Sequence, residues 1–303
     1  MGSPATHLGW PPALTPPMKR LLTSLAFLTV SLLNSCTVVG PVQRGEIRAS
    51  DGTPIVWEAH GHGSPALVLI HCWCGNRSFW KNQIEELARQ HEVVTLDLPG
   101  HGESGHERER WSVDGLGADV ARVADELGLQ HMILIGHSMG GPVALCAAAR
   151  MKGRVVGIVA IDTLHDAEKG ITREQVDGIA AKFEGDFHAG LEQVIPSMLP
   201  PDADPTLKRW LVDQAAKTDP RAASALMRDF PNLDMPALFR NASVPIRGIN
   251  SANSPWPTNI STNRKYADYD AIVLKDVGHY PHLEKPAEFN AALMRTIAAL
   301  EHH

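Results

Sequence analysis

The sequence predicts an α/β fold: a doubly wound, mostly parallel sheet with a helical lid inserted after its sixth strand. Three observations lead there. Short uninterrupted apolar runs at 66–70, 93–96, 132–135 and 155–161 alternate with helical periodicities over 78–90, 111–127 and 143–151. Runs of that kind suit strands buried on both faces, as in a parallel sheet covered by helices. The strand pattern then lapses between Ile161 and Val244, where charged helical segments are broken at Pro196, Pro200, Pro201, Pro205, Pro220, Pro231 and Pro236.

In chain order, Glu46-Ile47-Arg48-Ala49, a turn at Asp51-Gly52 and Ile55-Val56-Trp57-Glu58-Ala59 read as an opening β-hairpin. The buried strands and their helices follow as far as Ile161. Residues 164–242 form the expected lid, with Met198, Trp210, Met227 and Phe230 as candidates for the apolar lining of a pocket beneath it, against the alternative of core internal to the lid. Val244-Pro245-Ile246-Arg247-Gly248-Ile249 resumes the sheet, Ile272-Val273-Leu274 adds a last strand, and a helix over 289–300 closes the chain. The expected organisation is a signal segment at 1–36, a linker at 37–44, a core at 45–163 and 243–303, and the lid at 164–242. A chain of 303 residues, 44% hydrophobic and 20% charged, suits one large domain with an insertion.

Gly136-His137-Ser138-Met139-Gly140-Gly141 stands where an apolar run ends and an alanine-rich helix begins. A serine between glycines in that context fits a sharp strand-to-helix turn that lifts its hydroxyl clear of the sheet. The helix N-terminus then favours negative charge developing during acyl transfer. Ser138 is therefore the candidate nucleophile, against the alternative of an ordinary tight turn.

Four stretches carry a family resemblance: Leu69-Ile70-His71 with Gly75; Asp97-Leu98-Pro99-Gly100-His101-Gly102-Glu103-Ser104; the Ser138 motif; and Gly278-His279-Tyr280-Pro281-His282-Leu283-Glu284-Lys285-Pro286. In this order, over residues 45–300, the chain resembles the Ser-dependent α/β-hydrolases of the esterase, lipase and lactonase type. The resemblance implies the α/β-hydrolase fold and places the base at His279, immediately after glycine, with His282 as competitor. It also implies an oxyanion hole from the backbone N–H groups of Trp73 and Met139, although Cys72 stands where the family usually has glycine. His71 and His137 are candidate substrate-binding residues together with Met198, Trp210 and Phe230. For His71, His101 and His137 the preferred reading is a loop-bracing hydrogen bond.

The acid departs from the family pattern. Its common position, after the strand at 244–249, reads Asn250-Ser251-Ala252-Asn253-Ser254-Pro255 and holds no carboxylate. Some members carry the acid at the end of the sixth strand, and here Val159-Ala160-Ile161 runs into Asp162. A carboxylate there faces the crevice at the carboxyl ends of parallel strands. Asp162 is the expected partner of His279, with Asp166 a substitute and a loop cap the structural alternative.

At the other end of the chain, Met18-Lys19-Arg20 and the apolar residues after it have the form of an export signal, so translation starts at Met1 or Met18. Leu33-Asn34-Ser35-Cys36 resembles a bacterial lipobox, which implies lipid attachment at Cys36 and, with Thr37 following, an outer-membrane destination. The alternative is an ordinary secretory signal or an uncleaved anchor. Residues 37–303 carry 26 basic and 34 acidic side chains, which gives no support to nucleic-acid binding. Cys72, Cys74 and Cys146 lack metal-site spacing, so no metal and no cofactor are expected.

The expectation is a cell-envelope serine hydrolase of a small or medium ester or lactone. A hydrolase of carbon–carbon bonds or amides and a non-catalytic envelope binding protein are the alternatives.

Overall fold

The computed structural model describes residues 1–2 and 41–302. Residues 3–36 of the expected signal segment, Cys36 among them, and residues 37–40 of the expected linker lie outside the described residues.

Eight strands form one sheet: β1 (Gln43–Arg48), β2 (Pro54–His60), β3 (Ala66–Ile70), β4 (Val93–Leu96), β5 (Met132–His137), β6 (Val155–Ile161), β7 (Ile246–Ser251) and β8 (Tyr269–Leu274), in the order β1-β2-β4-β3-β5-β6-β7-β8. β2 is antiparallel to β1 and to β4, and the remaining pairs are parallel. Every residue of β3, β4 and β5 is buried, Thr95 and His137 included, as befits strands covered on both faces. Alternate side chains serve opposite layers. Val68, Ile70 and Leu134 pack with Val120, Val143 and Ala147, while Leu67, Leu69 and Ile135 pack with Phe289, Leu293 and Ile297.

The winding reverses around β3, which pairs with β4 on one side and β5 on the other. Connections leaving the carboxyl ends of these strands part company there and open a crevice. Two loops meet at it, His71-Cys72-Trp73 from β3 and Ser138 from β5.

Local structure departs from expectation in two places. The helix expected over 78–90 is a 3₁₀ turn, Arg77–Trp80, followed by a one-turn helix, Ile84–Leu87. Asn76 caps the first turn, and buried Asp97 accepts the Arg77 N–H at 2.7 Å, so tertiary bonds override the helical periodicity. Between β6 and β7 three of the seven expected proline breaks are α-helix starts. Pro205, Pro220 and Pro236 sit in the first turns of Pro205–Ala215, Pro220–Asp229 and Met235–Ala242, where the missing N–H costs nothing. Pro196 lies inside Phe187–Ser197, near its end.

The glycines of the Ser138 motif permit close approach. A Cβ on Gly136 would lie 2.2 Å from the Gly140 carbonyl oxygen, and one on Gly140 would lie 2.3 Å from the carbonyl oxygen of Ile70. Neither backbone atom can yield without moving the helix Gly140–Arg150 off the sheet. Gly136→Ala is expected to cost about 3 kcal/mol, which for a domain of this size lowers the thermal midpoint by roughly 6–12 °C. Calorimetry checks this, and an unchanged midpoint would contradict the packing described.

Candidate active site

Ser138 follows β5 directly and holds φ at +52°, in the left-handed region where a non-glycine residue is strained. Its N–H donates to the Ile161 carbonyl at 3.0 Å, and its own carbonyl accepts from Gly141 at 2.9 Å, so both neighbouring elements fix the turn. Asp162, directly after β6, is strained too, with φ +42°. Its N–H donates to Ile249 in β7 at 3.0 Å. One carboxylate oxygen, Oδ1, accepts the Ser251 N–H at 2.9 Å, and Oδ2 lies 2.6 Å from Nδ1 of His279. The carboxylate is nearly fully buried, whereas the imidazole is 20% exposed and faces a cavity of about 760 Å³. Ser138 lines the same cavity. Its hydroxyl has no hydrogen-bond partner among the described residues, His279 included.

Several groups hold the His279 turn. Glu284 spans it, accepting the Gly278 N–H at 2.7 Å and the Tyr280 N–H at 2.8 Å. The His279 N–H donates to Met198 in the lid at 2.9 Å. Ser251 Oγ donates to the Val277 carbonyl at 2.6 Å, and Asn253 Nδ2 does so at 3.1 Å. Sequence reasoning assigned Glu284 and Ser251 no role. For Glu284 the available signal was its position six residues after Gly278, at the end of a turn that needs its own N–H groups satisfied.

Trp73 and Met139 both border the cavity, and neither backbone N–H is hydrogen-bonded among the described residues. Two such donors flanking a serine can stabilise an oxyanion. The Trp73 indole donates to the Ala223 carbonyl in the lid at 2.8 Å, tying this loop to the helix above it.

Three expected substrate contacts do not line the cavity. His71 is fully buried, with Nδ1–H donating to the Cys72 carbonyl at 2.8 Å and Nε2 accepting the Leu98 N–H at 2.9 Å, so the ring braces two loops. His137 is likewise buried and donates from Nε2 to the His279 carbonyl at 2.7 Å. Trp210 packs on Phe79 and beneath the Lys81 ammonium, outside the cavity. Met198 and Phe230 do line it, with Met227, Leu233 and Met235 from the lid. Cys72 and Cys74 are buried free thiols, and burial pushes the Cys72 pKa up to about 12, so neither is a thiolate near neutrality. No group of His, Cys, Asp and Glu among the described residues could hold a metal.

The family model for the alpha/beta hydrolase fold matches residues 65–189. An enol-lactonase from Burkholderia xenovorans LB400 superposes with a TM-score of 0.74 at 22% identity, over 84% of this chain and all of that one. The chain has the α/β-hydrolase fold. Among curated sequences, the chain is 28% identical to a dihydrolipoyllysine-residue acetyltransferase component of the acetoin cleaving system of Pseudomonas putida, over 84% of this chain and 69% of that one. It is 25% identical to a pimeloyl-[acyl-carrier protein] methyl ester esterase of Nitrosospira multiformis, over 78% of this chain and 96% of the relative.

Burial keeps several histidines around the site neutral. It lowers the pKa of His71 to about 4 and those of His101 and His282 to about 3. Both ring nitrogens of His282 lack partners among the described residues, and its ring sits between Trp80, His137 and Phe289. A depressed histidine pKa means that the unfolded chain, with its value of 6.5, binds the proton first. The stability involved is fully present above pH 6.5 and is lost as pH falls toward the folded values. The carboxyls of Asp97, Asp119 and Glu284, raised by burial, act in the opposite sense. His282→Leu removes one histidine contribution. The denaturant midpoint is therefore expected to fall less between pH 7.5 and pH 5.5 in this variant than in wild type, and an equal fall would refute the assignment.

Proposed function

We propose that this α/β-hydrolase is a serine hydrolase that cleaves a small or medium uncharged ester or lactone through an acyl-enzyme. The observation that carries the reading is the 2.6 Å contact between Asp162 Oδ2 and His279 Nδ1 in the cavity that also exposes Ser138 at its strained turn. A carboxylate on Nδ1 fixes the proton there, leaving Nε2 as the base, and stabilises the imidazolium once it forms. Ser138 Oγ attacks the acyl carbonyl as Nε2 takes its proton. The oxyanion is held by the N–H groups of Trp73 and Met139. Nε2 then returns the proton to the leaving alkoxide, and the C–O bond of the ester breaks. Water, activated by the same nitrogen, releases the acid and restores Ser138.

Apolar lid side chains, Met198, Met227, Phe230, Leu233 and Met235 among them, favour an uncharged acyl or alcohol portion. A volume of about 760 Å³ is within the range for small-molecule sites. The named activities of the Nitrosospira relative and the Burkholderia structure, an esterase and an enol-lactonase, agree with this class. The proposed setting is the cell envelope, with a lipid on Cys36, and rests on the export-like sequence and lipobox alone.

On a panel of chromogenic esters of increasing chain length, Ser138→Ala is expected to lose activity by several orders of magnitude. Asp162→Asn should lower kcat by roughly 10²–10⁴-fold with the fold intact. Undiminished turnover in either variant contradicts the reading. Metabolic labelling with a fatty-acid analogue should tag the wild-type protein and not Cys36→Ser; an untagged wild type removes the anchor while leaving the catalytic proposal in place.

A further inference from the structure

The proposed acid has a second neighbour that this mechanism does not use. While Oδ2 of Asp162 faces His279, Nε2 of His165 lies 3.6 Å from Oδ1. His165 is buried, and it borders the catalytic cavity. At that separation there is no hydrogen bond. An N–H dipole there still stabilises a carboxylate in weakly screened surroundings, whereas a ring lone pair repels it. The tautomer of His165 therefore decides its effect on Asp162.

A chain of side chains beginning at Asn250 sets that tautomer. Asn250 Oδ1 accepts the Thr163 N–H at 3.2 Å, which turns its amide nitrogen toward Thr258, whose Oγ accepts at 2.9 Å. Thr258 Oγ lies 3.3 Å from His165 Nδ1 and has no other acceptor among the described residues. With the hydroxyl donating to Nδ1, the ring proton resides on Nε2. At the far side, Nε2 faces Ser254 Oγ at 3.4 Å and the Asp162 carboxylate, which can only accept. The charge on Asp162 favours the same tautomer. The backbone is fixed as well, since the His165 carbonyl accepts from Asn259 N–H at 2.7 Å and from Asn263 Nδ2 at 3.2 Å. Burial lowers the His165 pKa, so the ring is neutral near pH 7 and its tautomer matters there.

We infer that His165 is a positioning residue for Asp162, kept as an N–H donor by Asn250 and Thr258. Asn250 stands in β7, next to the strand end at which the sequence holds no acid. In place of supplying a carboxylate, that strand orients the one supplied by β6. The inference rests on the serine-hydrolase reading above.

The test compares Thr258→Val, Thr258→Ser, His165→Leu and His165→Gln with wild type and Ser138→Ala on one chromogenic ester, with folding checked by circular dichroism. Valine keeps the shape of threonine without the hydroxyl. Thr258→Val and His165→Leu should lower kcat by about tenfold, the scale of a dipole beside a charge in weakly screened surroundings, with KM within twofold of wild type. Thr258→Ser and His165→Gln, which retain the hydroxyl and a donor, should recover most of kcat. Wild-type kcat in Thr258→Val overturns the inference, as does a raised KM with unchanged kcat in His165→Leu, which would mark a substrate contact. Full activity in Ser138→Ala overturns the hydrolase reading and this inference together, so the two failures are distinguishable.

Discussion

The carboxylate of Asp162 is the constraint on which the rest of the site depends. It ends β6, its main-chain N–H is bound by Ile249 and its Oδ1 by the Ser251 N–H, both in β7, and its Oδ2 meets His279 beyond β8. Burying an anion is expensive unless its oxygens are satisfied by donors. Here the donors belong to neighbouring strands, so satisfying the charge also fixes where three strand ends lie relative to one another. The strain at Ser138 and Asp162 is retained because the parallel sheet and its hydrogen bonds determine both turns from each side.

The lid enters this arrangement as more than a cover. Met198 accepts the His279 N–H, and Ala223 accepts the Trp73 indole, so the lid bonds both to the loop bearing the imidazole and to the loop bearing a proposed oxyanion donor. Its apolar side chains complete the cavity, and the loop and strand residues of the core provide the polar wall. In the proposed reaction, substrate selection and the alignment of Ser138 and His279 are consequently coupled through the same lid segments.

Much of the fold was legible in sequence because strands buried on both faces leave apolar runs, and β3 and β6 coincide with such runs, as does β4 apart from Thr95. Asp162 stood out for a related reason: no carboxylate follows β7, and β6 runs straight into one. The region 78–90 was not legible, since its helical period is overridden by Asn76 and by an aspartate distant in sequence, Asp97. Nor was the direction of Trp210, whereas His71 and His137 make the loop-bracing bonds that the sequence reading preferred for them. A histidine beside a site in sequence can turn its ring back into the core when backbone groups offer it bonds, as Leu98 and His279 do here. The tryptophan is turned away by Phe79 and Lys81, contacts with no periodic signature.

Covalent turnover at Ser138 is the central claim of this account, and it is tested most directly by trapping the intermediate. Enzyme mixed with an activated ester can be quenched in acid during steady-state turnover, digested and mapped by mass spectrometry. The account predicts an acyl increment on the peptide containing Ser138, present only in native protein. Continued hydrolysis with no adduct on any residue, or an adduct carried elsewhere, would contradict it.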